Sequence, residues 1–383
     1  TGSCDLYDRW TGTVIDHKGL ALTTRLPTPA GWTTMGAIQA GDQVLGPDGQ
    51  PCSVTAKSET KRIGTYVVKF DDGSEIVCDS EHIWWTQSGS EKEPTAKPID
   101  RVIRTLTTKR GQKDHRVPVA SPLDLPDVDL AVDPYLLGCW LGDGATAGGS
   151  ITKGRDLFDI LESDGHIIGP EVGQTGKCST RAVHGLTTGL RGLGLQWVAG
   201  QRVGGDGKKR QVIAGKKRIP DQYLRAGHAQ RLRLLQGLMD TDGSWNKPRA
   251  RAVFSSTDAA LAEQVAELLC TLGQRPLVSS FKANGFGITT TAYQVNWTPN
   301  GIEPFRLPRK AEQVVAKKVS AWSKRRVIVS VTPGPDIETA CIAVDSPTRV
   351  YLCGDRMIPT HNTVGPTQLK KYKAHGPGDQ YKI

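Results

Sequence analysis

The sequence predicts a mainly β domain that is interrupted by an inserted α+β domain. Residues 19–90 contain short β-rich runs separated by turn signals, among them PDG (47–49) and DDG (71–73), a pattern typical of an all-β unit. Residues 130–310 instead mix helical patterns with basic loops, and β-like runs return from about residue 325. This order predicts an insertion at an exposed loop of the β domain, because exposed loops tolerate insertions.

Runs rich in β-branched and aromatic residues predict the strands of the β parts. They lie at 20–24, 66–70, 75–78, 326–331, 339–344 and 350–352. In the inserted part, Asp133 and Pro134 predict a helix start, with an N-cap followed by proline at the first helical position. Residues 258–272 carry leucine and valine at helical spacing, and Gly273 supplies a stop signal.

Composition narrows the class of partner and the compartment. The formal net charge of +10 favours an acidic partner, usually nucleic acid, although solubility alone is an equally good reading. The eight cysteines are scattered and form no CxxC pair, so we expect neither a zinc site nor a disulfide framework. No apolar run approaches the ~18–20 residues of a membrane span, and no secretory signal is visible. We therefore expect a cytoplasmic protein with no membrane partner.

The tripeptide His361-Asn362-Thr363 carries the chemistry of peptide-bond cleavage. An asparagine amide can attack its own backbone carbonyl and form a succinimide, which cuts the chain. A neighbouring histidine can polarise that carbonyl or protonate the leaving amine. A hydroxyl residue immediately afterwards supplies a nucleophile. Taken alone, the tripeptide is more often a surface turn.

A second histidine, His82, closes the strand-like segment CDSEHIW (78–84). It could donate a proton to a leaving amine, or it could be a structural histidine of the β core. The two signals together resemble inteins, which are self-splicing proteins with the horseshoe-like Hint fold. The matching segments are residues 19–35, 41–44, 78–84 and 357–362.

The first position of this resemblance is Gly19, where most inteins have a cysteine or serine nucleophile. Class 3 inteins instead use a linked tryptophan, cysteine and threonine. Trp84, Cys341 and Thr360 stand at the corresponding places, so the resemblance is specifically to class 3.

The resemblance implies the following first step. The Cys341 thiolate attacks the carbonyl of Lys18 and forms a branched thioester, while His82 protonates the departing amine of Gly19. Glycine also lets the scissile bond adopt a geometry that a side chain would forbid.

In the implied later steps, Thr363 takes the acyl group from Cys341. Asn362 then cyclises with help from His361, and an acyl shift leaves a peptide bond between Lys18 and Thr363. These steps require no cofactor.

One position departs from the intein pattern. Many inteins have threonine three positions before the block histidine, where this chain has Asp79. The departure leaves open how the scissile amide is held. The neighbouring Cys78 is expected to be a small core residue, although it could act as a competing thiol.

Two segments of the inserted part are similar to each other: LLGCWLGDG (136–144) and LQGLMDTDG (235–243). Both resemble the LAGLIDADG motif of homing endonucleases. Small residues four apart allow two helices to approach closely, and each helix ends in Asp-Gly. Asp143 and Asp242 would then bind Mg²⁺ for phosphodiester cleavage. Two copies imply a monomer with two pseudo-symmetric αββαββα halves.

The same resemblance implies a catalytic lysine and a DNA-binding surface. Lys217 is the candidate lysine of the first half, and Lys310 or Lys282 that of the second. A basic run would contact phosphates of double-stranded DNA. The target would be the allele of the host gene that lacks the intein, in a bacterial or phage-infected cell. A solvated loop is the alternative reading. The run comprises Lys208, Lys209, Arg210, Lys216, Lys217 and Arg218.

The segments outside the intein-like part, 1–18 and 363–383, would be host sequence, or exteins. Asp5, Asp16 and Lys18 resemble the core of PD-(D/E)XK nucleases such as RecB-like exonucleases, in which the acids bind metal and the lysine supports attack by water. A generic hairpin is the alternative reading.

We therefore predict an N-extein (1–18), a Hint domain in two parts (19–124 and 311–362), a LAGLIDADG endonuclease (125–310) and a C-extein (363–383). The expected functions are protein self-splicing and site-specific cleavage of double-stranded DNA. One alternative is a DNA endonuclease or DNA-binding protein with structural β flanks. Another is a hedgehog-type module that cleaves without ligating, against which the terminal His-Asn argues.

Overall fold

The computed structural model describes residues 6–7, 14–15, 18–89, 91–203, 207–285, 288–314 and 324–361. Contacts between residues divide the chain into two compact units. Asp124–Ser320 forms the central unit, and the described residues on either side of it form the flanking unit.

The first part of the flanking unit is built mostly of strands. Its elements are β1 (Leu6–Tyr7), β2 (Val14–Ile15), β3 (Leu20–Ala21), β4 (Arg25–Thr28), β5 (Gly31–Thr34), β6 (Gln43–Leu45), β7 (Pro51–Lys57), β8 (Lys61–Ile63), β9 (Thr65–Phe70), β10 (Glu75–Asp79), β11 (Ile83–Thr86), β12 (Thr95–Pro98), α1 (Ile99–Arg104) and β13 (Arg116–Pro118).

The central unit alternates helices and strands. Its elements are α2 (Pro134–Asp143), β14 (Ser150–Lys153), α3 (Arg155–Ser163), β15 (Ile168–Thr175), β16 (Cys178–Val183), α4 (Leu186–Gly192), β17 (Gln196–Val203), β18 (Lys209–Gly215), α5 (Asp221–Leu224), α6 (His228–Asp242), β19 (Gly243–Asn246), β20 (Arg251–Ser256), α7 (Ala259–Thr271), β21 (Leu277–Gly285), β22 (Ile288–Trp297) and α8 (Pro308–Ala311). In the part of the chain that is described, no helix is both long and apolar enough to cross a membrane.

The chain then completes the flanking unit with strands alone. They are β23 (Arg325–Pro333), β24 (Ile337–Ala340), β25 (Ile342–Val344), β26 (Val350–Cys353) and β27 (Ile358–His361). The predicted fold class is therefore confirmed: a mainly β domain is interrupted by an α+β domain.

The largest sheet of the flanking unit joins its two sequence parts. Its strand order is β13-β23-β9-β10-β3-β24-β8, so β3 lies between a strand from the first part and one from the second. Leu20 pairs with Cys78 on one side and with Ala340 on the other. This arrangement places the Lys18–Gly19 bond, at the start of β3, between β10 and β24.

Two strand predictions need correction. The run 339–344 was expected to form one strand, but it breaks at Cys341. The residues before Cys341 belong to β24 in the largest sheet, whereas β25 pairs with β7 in another sheet. The run 20–24 is also shorter than expected, because a turn closes when the Thr24 amide donates to the carbonyl of Ala21.

The central unit consists of two similar halves, α2–α4 and α6–α8. In the second half the sheet order is β19-β20-β22-β21. In the first half the order is β14-β16-β15. Gly144 forms an isolated bridge with Ile151 of β14, at the place that β19 occupies in the second half. Both halves therefore share one strand order. The hairpin β17–β18 lies outside this repeat.

The helix ends were predicted well. Asp133 caps α2 by accepting a hydrogen bond from the Leu136 amide at 3.0 Å, and Pro134 is the first helical residue. The Asp258 side chain caps α7 through the Ala260 amide at 2.8 Å. After α7, Gly273 adopts a left-handed φ of 69°, which glycine accommodates without strain.

Helices α2 and α6 touch along their backbones. A Cβ atom on Gly138 would lie 2.9 Å from the Cα of Gly237, and one on Gly237 would lie 2.2 Å from the carbonyl oxygen of Tyr135. A Cβ on Gly142 would overlap the Thr241 side chain. Small residues at these positions therefore bring the two helix ends together, as their spacing predicted.

Candidate functional site

Asp79, the last residue of β10, holds the Lys18–Gly19 peptide bond by hydrogen bonds. The Gly19 amide donates a hydrogen bond to the Asp79 carboxylate, and the Asp79 amide donates to the Gly19 carbonyl oxygen at 3.0 Å. These two contacts of Asp79 show how the Gly19 amide is held in this chain. The sequence marked the position as unusual but assigned it no contact.

The position of Gly19 has no space for a side chain. A Cβ atom there would lie 2.7 Å from the carbonyl oxygen and 2.8 Å from the carbonyl carbon of Ala340. Both atoms belong to the backbone of β24 and cannot move aside as a flexible side chain could. The packing therefore leaves no room for a cysteine or serine side chain at Gly19, and the strand that Gly19 packs against leads directly to Cys341.

His82 contacts the carbonyl group of the Lys18–Gly19 bond. Its Nδ1 lies 2.9 Å from the Lys18 carbonyl oxygen, and its Nε2 lies 2.6 Å from Thr360 Oγ1. Because a carbonyl oxygen only accepts, Nδ1 carries the hydrogen, and in the neutral ring Nε2 then accepts from the Thr360 hydroxyl. Burial lowers the pKa of His82 to about 4, so the ring is neutral at physiological pH.

The expected role of His82 was to protonate the Gly19 amine. Both of its ring nitrogens are engaged elsewhere, at the carbonyl oxygen of Lys18 and at Thr360. The group that contacts the Gly19 nitrogen is Asp79. The predicted histidine thus contacts the Lys18–Gly19 bond at its carbonyl oxygen and not at the Gly19 nitrogen.

Trp84 packs against His82 from within the core. Its side chain is fully buried, and its ring lies edge-on to the His82 ring with centroids 5.3 Å apart. Phe70 packs on Trp84 in a similar geometry at 5.6 Å. The tryptophan therefore restricts the orientation of the imidazole.

Cys341 lies at the break between β24 and β25 and is 1% exposed. Its amide donates to Ser58 Oγ at 3.0 Å, and its carbonyl accepts from the Ser58 amide at 2.9 Å. Its side chain packs with Ala56 and Ala343. Ser58 therefore fixes the backbone of the expected nucleophile, a role that no sequence motif announced.

Cys78, the possible competing thiol, is a core residue as expected. It is fully buried, and burial raises the pKa of its thiol well above the usual range. A thiol in this state is a poor nucleophile, since the thiolate is the reactive form.

The end of β27 carries Thr360 and His361. Thr360 is fully buried and pairs with Tyr351 across the β26–β27 hairpin. The His361 ring stacks on Trp85 with centroids 6.3 Å apart. Asn362 and Thr363 lie outside the described residues.

In the central unit, Asp143 and Asp242 end the paired helices α2 and α6. Burial and then the Asp143 charge raise the pKa of Asp242 above its usual value, as expected for two neighbouring carboxylates. Lys153, on β14, forms an ion pair with the Asp143 carboxylate and donates to the Thr241 carbonyl at 3.0 Å. Sequence reasoning missed Lys153, because nothing in the first motif specifies a lysine ten positions later.

Two further lysines reach the same helix ends. Lys217 donates to the Gly142 carbonyl oxygen, and burial lowers its pKa. Lys310 donates to the carbonyls of Met239 at 2.8 Å and Gly243 at 2.7 Å, and burial lowers its pKa to about 8. Lys282 is instead exposed on β21, where it contacts Thr291. Of the two second-half candidates, Lys310 is the one at the site.

The carboxylates could hold a metal ion only together with other ligands. Within the described ranges, no three histidine, cysteine, aspartate or glutamate side chains cluster closely enough to bind one. Mg²⁺, however, is often bound by one or two carboxylates plus substrate phosphates. Asp143 and Asp242, with nearby backbone carbonyls, form such an incomplete set, so these residues fit Mg²⁺ shared with a phosphodiester. A groove of about 590 Å³ opens beside Asp242, lined in part by Lys216 and Lys217.

The basic run lies on and after the extra hairpin β17–β18. Lys208, Lys209, Arg210 and Lys216 are exposed, whereas Arg218 is half-buried. The hairpin also exposes Trp197, whose side chain is 48% accessible. Of the residues predicted for an extein nuclease, Asp5 and Asp16 lie outside the described residues, and this resemblance stays a prediction.

Several known proteins are similar to parts of this chain. Residues 229–280 match the model of the LAGLIDADG-like domain. The chain is 33% identical over 372 residues to the replicative DNA helicase DnaB of Mycobacterium intracellulare, which covers 90% of this chain. It is 46% identical over 74 residues to the protein of the same description from Mycobacterium leprae. The chain spans 58% of the length of the first relative and 12% of the second.

Solved structures also match this chain. The Msm DnaB1 intein splicing domain bound with zinc matches with a TM-score of 0.29 and 16% identity, over 90% of this chain and 99% of that one. I-DmoI in complex with DNA and Mn matches with a TM-score of 0.27 and 17% identity, over 44% of this chain and 89% of that one.

Proposed function

We propose that the flanking unit is a self-splicing domain that removes residues 19–362 and joins Lys18 to Thr363. One observation carries this proposal. The Lys18–Gly19 bond is contacted by His82 at its carbonyl oxygen and by Asp79 at its nitrogen. An ordinary core peptide bond has no need of two ionisable side chains on its two polar atoms.

In the first step, the Cys341 thiolate attacks the Lys18 carbonyl carbon. Negative charge then develops on the carbonyl oxygen, where the His82 Nδ1–H group is already positioned to stabilise it. A donor held in place before the reaction is worth about 10²–10³-fold in rate when it is one of the oxyanion contacts. A neutral imidazole suits this role because it keeps its Nδ1 hydrogen throughout.

Thr360 and Trp84 act as positioning residues in this scheme. The Thr360 hydroxyl donates to His82 Nε2 and so fixes the tautomer that presents hydrogen at Nδ1. Trp84 packs edge-on against the ring and limits its rotation. This gives a physical reason for a tryptophan and a threonine to accompany the cysteine nucleophile.

The later steps use the end of the excised segment. Thr363 attacks the thioester on Cys341, and the acyl group of Lys18 moves to its hydroxyl oxygen. Asn362 then cyclises and releases the segment, with His361 polarising its carbonyl or protonating the leaving amine. An O-to-N acyl shift completes the new peptide bond.

The first step is tested by mass spectrometry of purified precursor. Cys341→Ala should abolish splicing and any thioester at Lys18, because the attacking sulfur is removed. Cys52→Ala is a matched control, since Cys52 is a largely buried cysteine of the same unit. Thioester formation that survives in Cys341→Ala would refute Cys341 as the first nucleophile.

For the central unit, we propose site-specific cleavage of double-stranded DNA by a monomer, at the allele that lacks the inserted segment. Asp143 and Asp242 would hold Mg²⁺ together with the scissile phosphates. When bound, Mg²⁺ offsets charge on the attacking and leaving oxygens. Lys217 and Lys310, each anchored at a helix end, place positive charge beside the same phosphates.

The basic run of the hairpin would contact phosphates farther along the duplex. Because β17–β18 lies outside the two-fold repeat, this contact has no counterpart on the second half. Cleavage of a plasmid bearing the uninterrupted host gene tests the proposal. Asp143→Asn should retain DNA binding but lose cleavage, whereas Asp159→Asn, an exposed aspartate of α3, should retain both. Cleavage by Asp143→Asn at the wild-type rate would refute the assignment.

A further inference from the structure

We propose that Asp79 is the general acid that protonates the Gly19 amine when the Lys18–Gly19 bond breaks. This inference rests on the proposed self-splicing function. It starts from a chemical requirement. An amide nitrogen is a poor leaving group until it takes up a proton, so some group must supply one at that atom.

The contacts of the scissile bond restrict which group this is. His82 is committed to the Lys18 oxygen and to Thr360 through its two ring nitrogens. Asp79 contacts the Gly19 nitrogen itself. Among the described residues with hydrogen bonds to this bond, Asp79 is therefore the one placed to deliver a proton to the leaving atom.

The carboxyl group is also held rigidly in that position. Its Oδ1 accepts from the Glu81 amide at 2.9 Å, while Oδ2 faces Gly19. The Asp79 amide donates to the Gly19 carbonyl at 3.0 Å, so Gly19 is gripped on both sides. The distance between acid and nitrogen is thus set before the reaction begins.

The surroundings of Asp79 favour its protonated form. The side chain is completely buried, and burial is the main cause that raises its pKa to about 7. The Glu81 charge raises this pKa further, whereas the Gly19 and Glu81 amides and the Lys18 charge lower it. The fully buried Cys78, His82 and Tyr351 surround it as neutral groups at this pH. A substantial fraction of Asp79 therefore carries a proton near neutral pH, as a general acid requires.

The step balances without another reactant. The Cys341 sulfur, as thiolate, forms a bond to the Lys18 carbonyl carbon. In the resulting tetrahedral intermediate the lone pair of the Gly19 nitrogen is no longer delocalised into the carbonyl group, so the nitrogen can accept a proton from Asp79. The carbon–nitrogen bond then breaks as the proton moves from Asp79 to nitrogen. The products are a thioester, a free Gly19 amine and an Asp79 carboxylate, so the negative charge passes from sulfur to oxygen.

The alternative is that Asp79 only holds the Gly19 amide in position, because many inteins have a threonine in place of Asp79. The two roles differ in pH dependence. Thiolate formation makes the rate rise with pH, whereas deprotonation of a general acid makes it fall. Acid catalysis by Asp79 therefore stops the rise in rate near the pKa of about 7, because above this pH each gain in Cys341 thiolate is offset by loss of the Asp79 acid form. A purely structural role of Asp79 gives no break at this pH.

The experiment uses the full chain with Asn362→Ala and Thr363→Ala, which together stop the reaction at the thioester on Cys341. Release of residues 1–18 by hydroxylamine is followed by mass spectrometry from about pH 5 to pH 9. In this background, Asp79→Asn cannot supply a proton, and its single oxygen can accept from either the Gly19 or the Glu81 amide. We expect it to slow release about 10²–10⁴-fold at pH 7 and to remove the break near pH 7 from the profile. Asp100→Asn, an exposed aspartate of α1, should leave the profile unchanged.

A wild-type rate and profile in Asp79→Asn would overturn the proposal. So would a rate in the parent chain that keeps rising with unchanged slope through pH 7, which is measured whether or not the variant folds. Folding is checked by C-terminal cleavage in chains that retain Asn362. If Asp79→Asn loses that cleavage, Asp79→Glu decides: a break in slope displaced in pH supports the acid role, and an unmoved break refutes it. Failure of the splicing proposal itself is separate, because it appears as thioester formation in Cys341→Ala.

Discussion

His82 Nδ1 lies 2.9 Å from the carbonyl oxygen of Lys18, the acyl group that splicing would transfer. Its other ring nitrogen lies against Thr360 at 2.6 Å. Lys18, from the first part of the chain, and Thr360, from its last described strand, thus contact the same imidazole. Because the Thr360 hydroxyl and the Lys18 carbonyl contact the same ring, we expect a change at Thr360 to alter the contact at Lys18.

We predict that Thr360→Val slows thioester formation about 10- to 100-fold. The substitution leaves His82 Nε2 buried without a donor, and each 1.4 kcal/mol of this cost lowers the rate tenfold. Thr360→Ser keeps the hydroxyl and should stay within a few-fold of the wild type. The measurement is hydroxylamine-dependent release of residues 1–18. Equal rates in the valine and serine variants would show that the hydroxyl does not orient the histidine.

Gly19→Ala should stop the first step, because the new methyl group would overlap the Ala340 backbone. We expect it to cost about 1–3 kcal/mol of unfolding free energy, the usual penalty of overpacking, and to reduce thioester formation by more than the stability loss explains. Gly64→Ala is the control, since a Cβ there meets no atom within 4 Å. Chemical denaturation of splicing-blocked chains measures the stability. A Gly19→Ala precursor that splices normally would contradict the packing argument.

Gly237→Ala should loosen the α2–α6 contact. Its methyl group would meet the Tyr135 carbonyl at 2.2 Å, so the helices must separate, at about 1–3 kcal/mol. Gly192→Ala, at the end of α4, adds a methyl group in open space and should cause no loss. Hydrogen exchange of peptides from α2 and α6 is the readout. Unchanged protection in Gly237→Ala would mean that the helices do not need glycine to pack.

The stability of the central unit should depend on pH and Mg²⁺ through Asp242. Burial raises the folded-state pKa of this group above its usual 3.8, so the folded state binds the proton more tightly than the unfolded state. Its contribution therefore becomes unfavourable as pH rises through that value toward the folded pKa, and stays so at neutral pH. Asp242→Asn should raise the melting temperature at pH 7 without metal.

Mg²⁺ should raise the melting temperature of the wild-type chain, because a cation that binds the folded site stabilises it by mass action. It should have little effect on the Asp242→Asn variant. A variant that melts below the wild type in metal-free buffer, or that responds equally to Mg²⁺, would contradict the assignment of Asp242 to a cation site.

Local signals in the sequence were sufficient for much of the fold. Asp133 marks a helix start and Gly273 a helix end, because capping acts over a few residues. The paired glycines of α2 and α6 were visible because a repeated motif places them at equal spacing. The alternation of β, α+β and β segments also revealed the insertion without knowledge of any contact.

What the sequence did not reveal depends on distant partners. The strand break at Cys341 was not predicted, because residues 339–344 favour strand throughout, and only their pairing with β3 and β7 divides them. The contact between Asp79 and Gly19 joins positions 60 residues apart. The choice of Lys310 over Lys282 depends on which lysine reaches the end of α6. No local pattern encodes these relations.

The most direct test of self-splicing is the intact mass of the full chain after expression and incubation. We predict two products: the excised segment 19–362, and a ligated peptide in which Lys18 is joined to Thr363, with neither product in Cys341→Ala. A wild-type chain that keeps its full mass, or a Cys341→Ala chain that yields the ligated peptide, would contradict the account.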